Sequence, residues 1–421
     1  MVAALVGSGM DGLELFTAAL GLGEPWRVDQ AEFAEEPGRL DLHVTYRRGA
    51  RFACPEPGCE QDQCPVHDTV DKTWRHLDFF QHKAFLHARA PRVRCTEHGV
   101  RLVAVPWARP GSGFTMLFEA LVLTFAKAMP MSRVAASVRE HDTRVWRIVE
   151  HHVHASRGRE DFSGVGRVGM DETSVAKGQD YISLFADLDA GRVLFATEGR
   201  DAATVACFAA DLAAHGGDAK QVHTTSSDMS TAFIAGITEH LPNAELTFDR
   251  YHLAAKLSEA VDAVRRAEIA TRPELKNTRW LWLKNWSNLS TRQRRELQQL
   301  MRPSAQLATA RALRWREDFQ AFYHQDPSYA AEYLRGWCAG AKRSRLQPLK
   351  DFVDLVRRHW NGILAWHTSH VSNGLLEGTN SLIQAAKARA RGYRTKNKMI
   401  TIAYLIAGKL PLPTVTNPRP A

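Results

Sequence analysis

The sequence predicts a multidomain α+β protein. A Cys/His-rich amino-terminal module and a short helix pair precede an α/β core that an all-helical segment interrupts. Three patterns predict this organisation: Cys and His cluster between residues 54 and 98, helical periodicity runs from 114 to 156, and strand and helix patterns alternate over 165–252. A chain of 421 residues is also too long for one ordinary core, so several domains are expected.

Composition narrows the class of protein. A hydrophobic fraction of 44% and a charged fraction of 24% are normal for a globular chain and exclude a disordered one. Fifty-five Lys and Arg against 46 Asp and Glu leave a net charge of +9, which favours a polyanionic partner such as nucleic acid or a membrane surface. No apolar run reaches the roughly 18 residues of a spanning helix, and no secretory leader is recognisable. We therefore expect a cytoplasmic protein without a membrane partner.

The first domain, residues 1–105, is predicted to carry a structural zinc site. It contains "RLDLHVTYRRG", whose alternation indicates an edge or hairpin strand, and then "CPEPGCEQDQCPVH" and "RCTEH". In a reducing compartment, such clustered Cys and His residues favour metal ligation over disulfides, and Zn²⁺ accepts mixed Cys/His shells. We predict Cys54, Cys59, Cys95 and His98 as the ligands, with Cys64 and His67 as spare candidates. The alternative is a set of buried free thiols.

The second domain, residues 106–160, is predicted to be a helix-turn-helix. An apolar helix "FTMLFEALVLTFAKAM" ends near Pro130, and "MSRVAASVRE" and "TRVWRIVEHHV" then form two helices across a tight joint. Arg144, Arg147 and also His151 would project from the second of these into a DNA major groove. A plain three-helix bundle is the alternative.

Residues 161–252 are predicted to form the first part of the core. Three sequential strands, "GRVGMDE", "YISLFADLD" and "RVLFATEG", precede an alternation of helix and strand that ends with "VHTTSSD" and "ELTFD". Asp171 then lies in or at the end of the first strand. Asp228 follows the fourth strand, where ligands collect in open α/β sheets. Asp249 and His252 end the fifth strand, and we expect them to form a hydrogen-bonded pair, with a further metal ligand as the alternative.

Residues 253–370 are predicted to be a helical insertion. No convincing strand occurs there, and seven of the eleven tryptophans do. Between Lys256 and Arg316 the chain has 14 Lys and Arg against 5 Asp and Glu, an excess equal to the net charge of the whole chain. The core is expected to resume over 371–408, and the proline-rich residues 409–421 are predicted to be a disordered tail.

Residues 372–398 are predicted to form one helix, which carries one acid beside six cations. Glu377 lies in its first turn, where the helix dipole favours an anion. Asp171, Asp228 and Glu377 together could hold two divalent cations about 3.5–4 Å apart, the arrangement that promotes phosphoryl displacement. Hard oxygen ligands suit Mg²⁺, with Mn²⁺ as a substitute. The flanking cations are then predicted to bind DNA phosphates, namely Lys387, Arg389, Arg391, Arg394, Lys396 and Lys398.

These motifs, in this order, resemble the transposases of the ISL3 family, which have an Asp-Asp-Glu site on a ribonuclease-H-like fold. The resemblance runs from about residue 40 to 408 and includes "WRHLDF", "MDETSVAKGQDYISLFADLD", "SSDMSTAF", "FDRYH" and "SNGLLEGTNSLIQAAKARARGYR". It implies that Asp171 bridges two cations while Asp228 and Glu377 hold one each. The departure is Cys54-x4-Cys59 with an additional Cys64, where similar proteins show C-x2-C pairs.

The resemblance also implies a reaction and partners. The zinc and helix-turn-helix modules would bind the terminal inverted repeats of an insertion sequence, and the core would cleave each end and join the freed 3′-hydroxyl to target DNA. A homodimer is expected because two ends must meet, and the protein would be nucleoid-associated. The alternatives are a non-enzymatic DNA-binding regulator and a structure-selective nuclease, both derived from such a transposase.

Overall fold

The computed structural model describes residues 11–36, 38–176, 178, 180–302, 306–371 and 373–418. Two compact units divide the chain. The first contains the described residues up to Ser156 together with 410–418, and the second runs from Arg157 to Lys409. Among the described residues, no helix is both long and apolar enough to cross a membrane.

A six-stranded sheet forms most of the first unit. Helix α1 (Gly12–Ala19) precedes it, and its strands lie in the order β1-β2-β5-β4-β3, with β6 paired to β5. The strands are β1 Trp26–Ala34, β2 Arg39–Tyr46, β3 Arg51–Phe52, β4 Cys64–Arg75, β5 Lys83–Cys95 and β6 Gly99–Leu102. β1 and β2 form an antiparallel hairpin, as do β4 and β5, and β2 runs parallel to β5.

The extent of this sheet was not predicted. The sequence indicated one edge or hairpin strand at β2, where Leu40, Leu42 and Val44 alternate with polar residues and are buried. The longer β4 reads "CPVHDTVDKTWR", in which few large apolar residues alternate. Its position is fixed by the ladder to β5, from Val66↔Val93 to Arg75↔Phe85. Backbone pairing with a distant partner therefore defines a strand that side-chain periodicity leaves unmarked.

Three helices complete the first unit: α2 Met116–Ala128, α3 Met131–Val138 and α4 Asp142–Arg157. Thr115 caps α2 by accepting a hydrogen bond from the Phe118 N–H, and Pro130 stands at the N-cap of α3. Arg139 ends α3 in the left-handed conformation, with φ of 54°, and so turns the chain toward α4. Helices α3 and α4 lie where the helix-turn-helix pattern predicted two helices.

The carboxyl-terminal segment differs from the disorder predicted for it. Over 410–418 the chain is described, and Leu410 and Pro413 are buried within the first unit. Ser156 donates through Oγ to the Pro411 carbonyl at 3.2 Å, and Thr414 and Asn417 exchange backbone hydrogen bonds. Prolines that prevent a helix still pack well in an extended segment, so this composition did not imply disorder. Residues 419–421 lie outside the described part of the chain.

The second unit begins with a five-stranded mixed sheet in the order β11-β10-β7-β8-β9. Its strands are β7 Arg167–Ser174, β8 Tyr181–Asp187, β9 Arg192–Glu198, β10 Thr224–Ser227 and β11 Glu245–Phe248. β7, β8 and β9 are antiparallel neighbours, whereas β10 is parallel to both β7 and β11. Helix α5 (Ala202–Ala214) joins β9 to β10, and α6 (Thr231–His240) joins β10 to β11.

A helical region follows this sheet and surrounds a large apolar core, in which Trp282, Phe319, Phe322 and Leu334 are almost fully buried. Its α-helices are α7 Arg250–Glu268, α8 Arg279–Leu283, α9 Thr291–Leu300, α10 Ala308–Phe322, α11 Pro327–Arg343, α12 Gln347–Arg358, α13 Trp360–Leu364 and α14 Trp366–Ser369. The chain then returns to the sheet through α15 (Gly374–Ala390) and ends the unit with α16 (Lys396–Ala407). The prediction of one helix over 372–398 is therefore wrong, because Arg391 ends α15 in the left-handed conformation, with φ of 57°.

Candidate functional site

Three carboxylates lie near one edge of the sheet in the second unit: Asp228 and Asp249 directly follow β10 and β11, and Asp171 lies within β7. Ser226 of β10 pairs with Gly169 of β7, so two further residues along each strand bring Asp228 level with Asp171. Ser227 likewise pairs with Phe248 of β11, which places Asp249 beside Asp228. Parallel strands deliver their carboxyl ends to one edge of a sheet. The structure therefore brings the two predicted aspartates together and adds Asp249, which is fully buried.

Helix α15 lies against β7 through a row of polar side chains. Asn380 donates through Nδ2 to Asp171 Oδ2 at 2.6 Å, and Gln384 donates to Thr173 Oγ1 and to the Ser174 carbonyl, both at 2.8 Å. Asn373, at the N-cap, donates to the Met170 carbonyl at 3.3 Å. This polar face of the helix is therefore used for docking.

Gly169 permits the close approach of α15. A Cβ at this position would lie 2.7 Å from Leu376 Cδ1 of the helix and 2.7 Å from Leu188 Cδ2. Real Cβ atoms do not approach other atoms so closely, so a side chain at residue 169 would force the methyl groups of Leu376 and Leu188 to move. The glycine two residues before Asp171 thus helps to place the first turn of α15, and with it Glu377, near the carboxylates.

Burial and like charge act together on the acidic groups. Burial, with further repulsion from Asp228 and Asp249, raises the pKa of Asp171 to about 6. Burial, followed by the charges of Asp228 and Asp171, raises the pKa of Glu172 to about 7. Partial burial and the charge of Asp249 also raise the pKa of Glu377 above its usual value. A bound divalent cation would remove the cost of ionising these carboxyl groups. Carboxylate oxygens are also the ligands that such cations prefer, so the residues present fit a divalent metal ion.

Asp249 and His252 form a pair that faces all three predicted carboxylates. His252 Nδ1 lies 3.1 Å from Asp249 Oδ2, and this hydrogen bond raises the pKa of His252. The pair interacts electrostatically with Asp171 and with Glu377, and His252 also interacts with Asp228. The hydrogen-bonded pair expected from the sequence is confirmed.

The three predicted carboxylates are more widely spaced than a closed metal shell. Within the described ranges, one group of three or more Cys, His, Asp or Glu has all its ligand atoms within 4.8 Å of one another, and it lies in the first unit. Glu377 is exposed on α15 and interacts electrostatically with Asp249 and His252 of the cluster.

Glu172 and Asn380 were not predicted as site residues. The signals for them were Glu172's adjacency to Asp171 and Asn380's position one turn after Glu377.

The compact group in the first unit is Cys54, Cys59, Cys95 and His98. Cys59 Sγ lies 3.7 Å from Cys95 Sγ, and His98 Nδ1 lies 3.8 Å from Cys54 Sγ and 3.6 Å from Cys95 Sγ. Tetrahedral zinc with bonds of about 2.3 Å to sulfur and about 2.0 Å to nitrogen sets its ligands roughly 3.5–3.8 Å apart. The four side chains therefore fit a structural zinc ion with no open position.

The two spare candidates stand outside this group. Cys64 is buried beside it, with its Sγ 3.7 Å from the Gln61 carbonyl. His67 is exposed, with Nδ1 3.2 Å from an Arg94 nitrogen.

The surroundings of Cys95 favour its ionised form. Burial opposes ionisation of this thiol, but the backbone N–H groups of His98 and Glu97 lower its pKa to about 6. A thiolate is the form that binds zinc.

The predicted DNA-binding cations fall into two sets. Arg147 is exposed on α4, whereas Arg144 lies 4.3 Å above the Phe114 ring and is ion-paired with Glu140. Near α15, Lys387 donates to the Ser174 carbonyl at 2.7 Å, and Lys396 pairs with Asp180 and Glu198. These two lysines therefore have structural partners. The exposed members of the carboxyl-terminal set are Arg389, Arg391 and Arg394, and Lys398 is half-buried.

Comparison with known proteins gives this site its context. Residues 168–403, more than half of the chain, match a family described as transposase, so the class to which the chain belongs is that of the transposases. Residues 103–153 match the helix-turn-helix domain of transposase family ISL3, and residues 50–98 match the zinc-finger of the transposases of IS204, IS1001, IS1096 and IS1165. The chain belongs to the ISL3 family of transposases.

Two curated relatives match over nearly their whole length. The transposase for insertion sequence element IS1001 of Bordetella parapertussis is 28% identical over 390 residues, which cover 89% of this chain and 94% of the relative. The transposase for insertion sequence element IS1557 of Mycobacterium tuberculosis is 28% identical over 436 residues, which cover 96% of this chain and 97% of the relative. The similarity therefore includes the first unit as well as the second.

The zinc site generates a prediction about metal content. We expect the purified protein to carry one zinc ion per chain, and Cys54→Ser or His98→Ala to lose most of it because a four-ligand shell would be broken. Cys64→Ser is the matched control and should retain the metal. Elemental analysis by mass spectrometry measures the ratio. Loss of zinc from Cys64→Ser with retention in Cys54→Ser would show that the ligand set is different.

The carboxylate cluster generates a prediction about pH. Because folding raises the pKa values of Asp171 and Glu172 to about 6 and about 7, the folded state binds protons more tightly than the unfolded one. Their contribution to stability is therefore full below about pH 4, near the ordinary carboxyl pKa, and is lost as the pH rises through 6 and 7. Without divalent metal, Asp171→Asn should raise the melting temperature at pH 8 by a few degrees, and by less at pH 5.

Scanning calorimetry with and without Mg²⁺ measures this effect. Added Mg²⁺ should stabilise the wild type more at pH 8 than at pH 5, because the competing protons have left. The exposed Asp351→Asn is the control and should change neither result. A lower melting temperature for Asp171→Asn at pH 8 would contradict the repulsion on which the prediction depends.

Proposed function

We propose that this transposase binds the terminal inverted repeats of its insertion sequence, cleaves the DNA strands there and joins the freed 3′ ends to target DNA. The observation that carries the proposal is the cluster of Asp171 within β7, Asp228 after β10 and Asp249 after β11. Glu377 lies on α15, the helix docked against β7. Both relatives, each named a transposase for an insertion sequence element, support it.

The core is proposed to be ribonuclease-H-like. Three antiparallel strands followed by two strands parallel to the first, in the order β11-β10-β7-β8-β9, support this interpretation, as do the helices that connect β9, β10 and β11. The proposed core comprises residues 161–252 and 371–408, and the helices over 253–370 are an insertion between its fifth strand and α15. Residues 1–105 and 106–160 are proposed as the zinc-binding and helix-turn-helix domains.

Asp171, Asp228 and Glu377 are proposed to hold two divalent cations, Mg²⁺ or Mn²⁺. When bound, such ions activate the attacking oxygen and stabilise the leaving oxygen of an in-line phosphoryl displacement. The chain's own residues prepare the site. Asn380 holds one carboxylate oxygen of Asp171, the Glu172 N–H holds the other at 2.8 Å, and the Ser230 N–H donates to Asp228 at 2.9 Å. These hydrogen bonds fix the direction of each carboxylate before substrate arrives.

DNA binding is divided among several surfaces in this proposal. Zinc held by Cys54, Cys59, Cys95 and His98 would stiffen the first unit, and Arg147 with Arg144 would contact the terminal repeat from α4. Arg389, Arg391, Arg394, Lys396, Lys398 and Lys387 are proposed to line the path of the DNA backbone beside the active site, although Lys387 and Lys396 also serve structural roles. A homodimer would hold two ends and target DNA together.

A cleavage and joining assay tests the proposal. Purified protein, Mg²⁺ and a labelled duplex from the inverted repeats flanking the gene should give nicked ends and then products joined to a second duplex. Asp171→Asn, Asp228→Asn and Glu377→Gln should each reduce both products to background while duplex binding persists. Asn380→Ala should require about 10–100-fold more Mg²⁺, because Asp171 would lose its orienting donor.

Asp351→Asn is the control for these carboxyl substitutions and should react like the wild type. Binding without cleavage would indicate the DNA-binding regulator, and cleavage without joining would indicate the structure-selective nuclease. Wild-type rates in any of the three triad variants would show that the residue concerned is not part of the active site.

A further inference from the structure

The hairpin of β4 and β5 ends in two exposed aromatic residues, which we name the aromatic tip. Phe79 and His82 exchange backbone hydrogen bonds at 2.8 and 2.9 Å, so Phe80 and Gln81 form the two-residue turn. Phe80 is 81% exposed and Phe79 is 38% exposed, and their rings lie 4.7 Å apart. A large apolar side chain therefore projects into solvent from the end of a long hairpin.

The backbone at the aromatic tip is unfavourable for a phenylalanine. Phe80 has φ of 53°, in the left-handed region that glycine or asparagine usually occupies in such turns. The side chain is neither buried nor required by the turn, so folding alone gives no reason for it. Strained residues with exposed apolar side chains are found at sites that contact a ligand.

Ion pairs tie the base of the aromatic tip to the turn of the helix-turn-helix. Asp78 accepts hydrogen bonds from Arg75 of β4 and from Arg139, the residue that ends α3. Arg75 is 2% exposed, and its Nε lies 3.8 Å from Glu140 Oε1. Glu140 in turn pairs with Arg144 of α4. The buried Arg75 thus connects the hairpin to the start of α4 within one unit.

This network of ion pairs fixes the aromatic tip beside α4, the second helix of the helix-turn-helix. In helix-turn-helix proteins, residues at the amino-terminal end of the second helix contact base edges in the major groove. Asp78 is two residues from Phe80, and Arg139 is three residues from the first residue of α4. Two DNA-contacting elements of different chemistry, one cationic and one apolar, would then approach the same stretch of duplex.

We propose that Phe80, supported by Phe79, is a wedge that inserts at a base step of duplex DNA next to the groove bound by α4. Apolar side chains used in this way unstack a step and kink the duplex, which lets the protein contact more of it. The inference rests on the proposed function, because it assumes that the helix-turn-helix binds the element ends. It adds a contact that bends the DNA without reading its bases.

A second copy of the chain fits the aromatic tip less well. Together with Phe33, which is 50% exposed and lies 4.7 Å from the His82 ring, the tip offers on the order of 300 Å² of apolar surface if each side chain spans about 200 Å². A stable protein interface needs about 800 Å² per partner. The neighbouring residues Gln81, Lys83 and Arg139 carry hydrogen-bond donors, which complement phosphates.

The experiment compares full-length variants on a duplex from the element's own inverted repeat. Fluorescence anisotropy gives the affinity, energy transfer between dyes at the two duplex ends gives the bend, and 2-aminopurine near the bound sequence reports unstacking. Phe80→Ala should weaken binding about three- to tenfold and remove both the bend and the unstacking signal. Phe80→Leu should retain most of the bend, because leucine also serves as a wedge.

Two further variants separate the wedge from other effects. Phe80→Gly relieves the positive φ, so it should keep or raise the melting temperature while losing the bend as Phe80→Ala does. Tyr329→Ala removes an exposed aromatic residue from the other unit and should bend DNA normally. Arg147→Ala should weaken binding without removing the bend of the complexes that remain.

The outcomes distinguish this inference from the proposed function. If the wild type cleaves and joins ends but Phe80→Ala bends DNA as strongly as the wild type, the wedge is wrong and the transposition activity stands. If light scattering shows that Phe80→Ala breaks up an oligomer while the bend persists, the tip is an interface between copies and the wedge is again wrong. If the wild type binds the repeat no better than a scrambled duplex, both proposals fail.

Discussion

The docking of α15 on β7 is the constraint on which the carboxylate site depends. A single amide donates from Asn380 to Asp171 across 209 positions of sequence, and Gln384 and Lys387 continue the contact along the strand. The Leu376 methyl group packs so closely on Gly169 that a side chain at residue 169 would displace it. These side-chain contacts fix the register of the helix on the strand. That register sets the position of Glu377.

The site also shows how a basic protein accommodates an acidic centre. Burial and mutual repulsion raise the pKa values of Asp171 and Glu172, so the metal-free cluster is under electrostatic strain at neutral pH. His252 offsets part of this repulsion, to which Asp249 adds, because His252 acts to lower the pKa values of Asp171 and Glu377. The stabilising hydrogen bonds from Asn380 and the backbone keep the carboxylates in place despite that repulsion. Function and stability are therefore opposed at this edge of the sheet.

In the first unit, two polar features hold distant segments together: a cluster of metal-ligand side chains and a network of ion pairs around a buried arginine. The Cys54, Cys59, Cys95 and His98 group joins segments 36 residues apart with tetrahedral ligand spacing. The buried Arg75 joins the sheet to the helix-turn-helix through Asp78 and Glu140 and packs its guanidinium over the Phe85 and Phe118 rings. Both features fix surface elements that an apolar core alone would leave free to shift, which suits a unit that binds duplex DNA.

The sequence by itself determined the order of the modules, the helix pair, the strands of the second unit and Cys54, Cys59, Cys95 and His98, because local periodicity and ligand spacing are short-range signals. It also marked Asp171, Asp228 and Glu377 as candidates. Only the tertiary structure decided that β4 joins a six-stranded sheet, that Asn380 and Glu172 border the site, and that Lys387 and Lys396 have internal partners. The reason is physical: strand pairing, burial and the pKa of a carboxyl depend on neighbours that are distant in sequence.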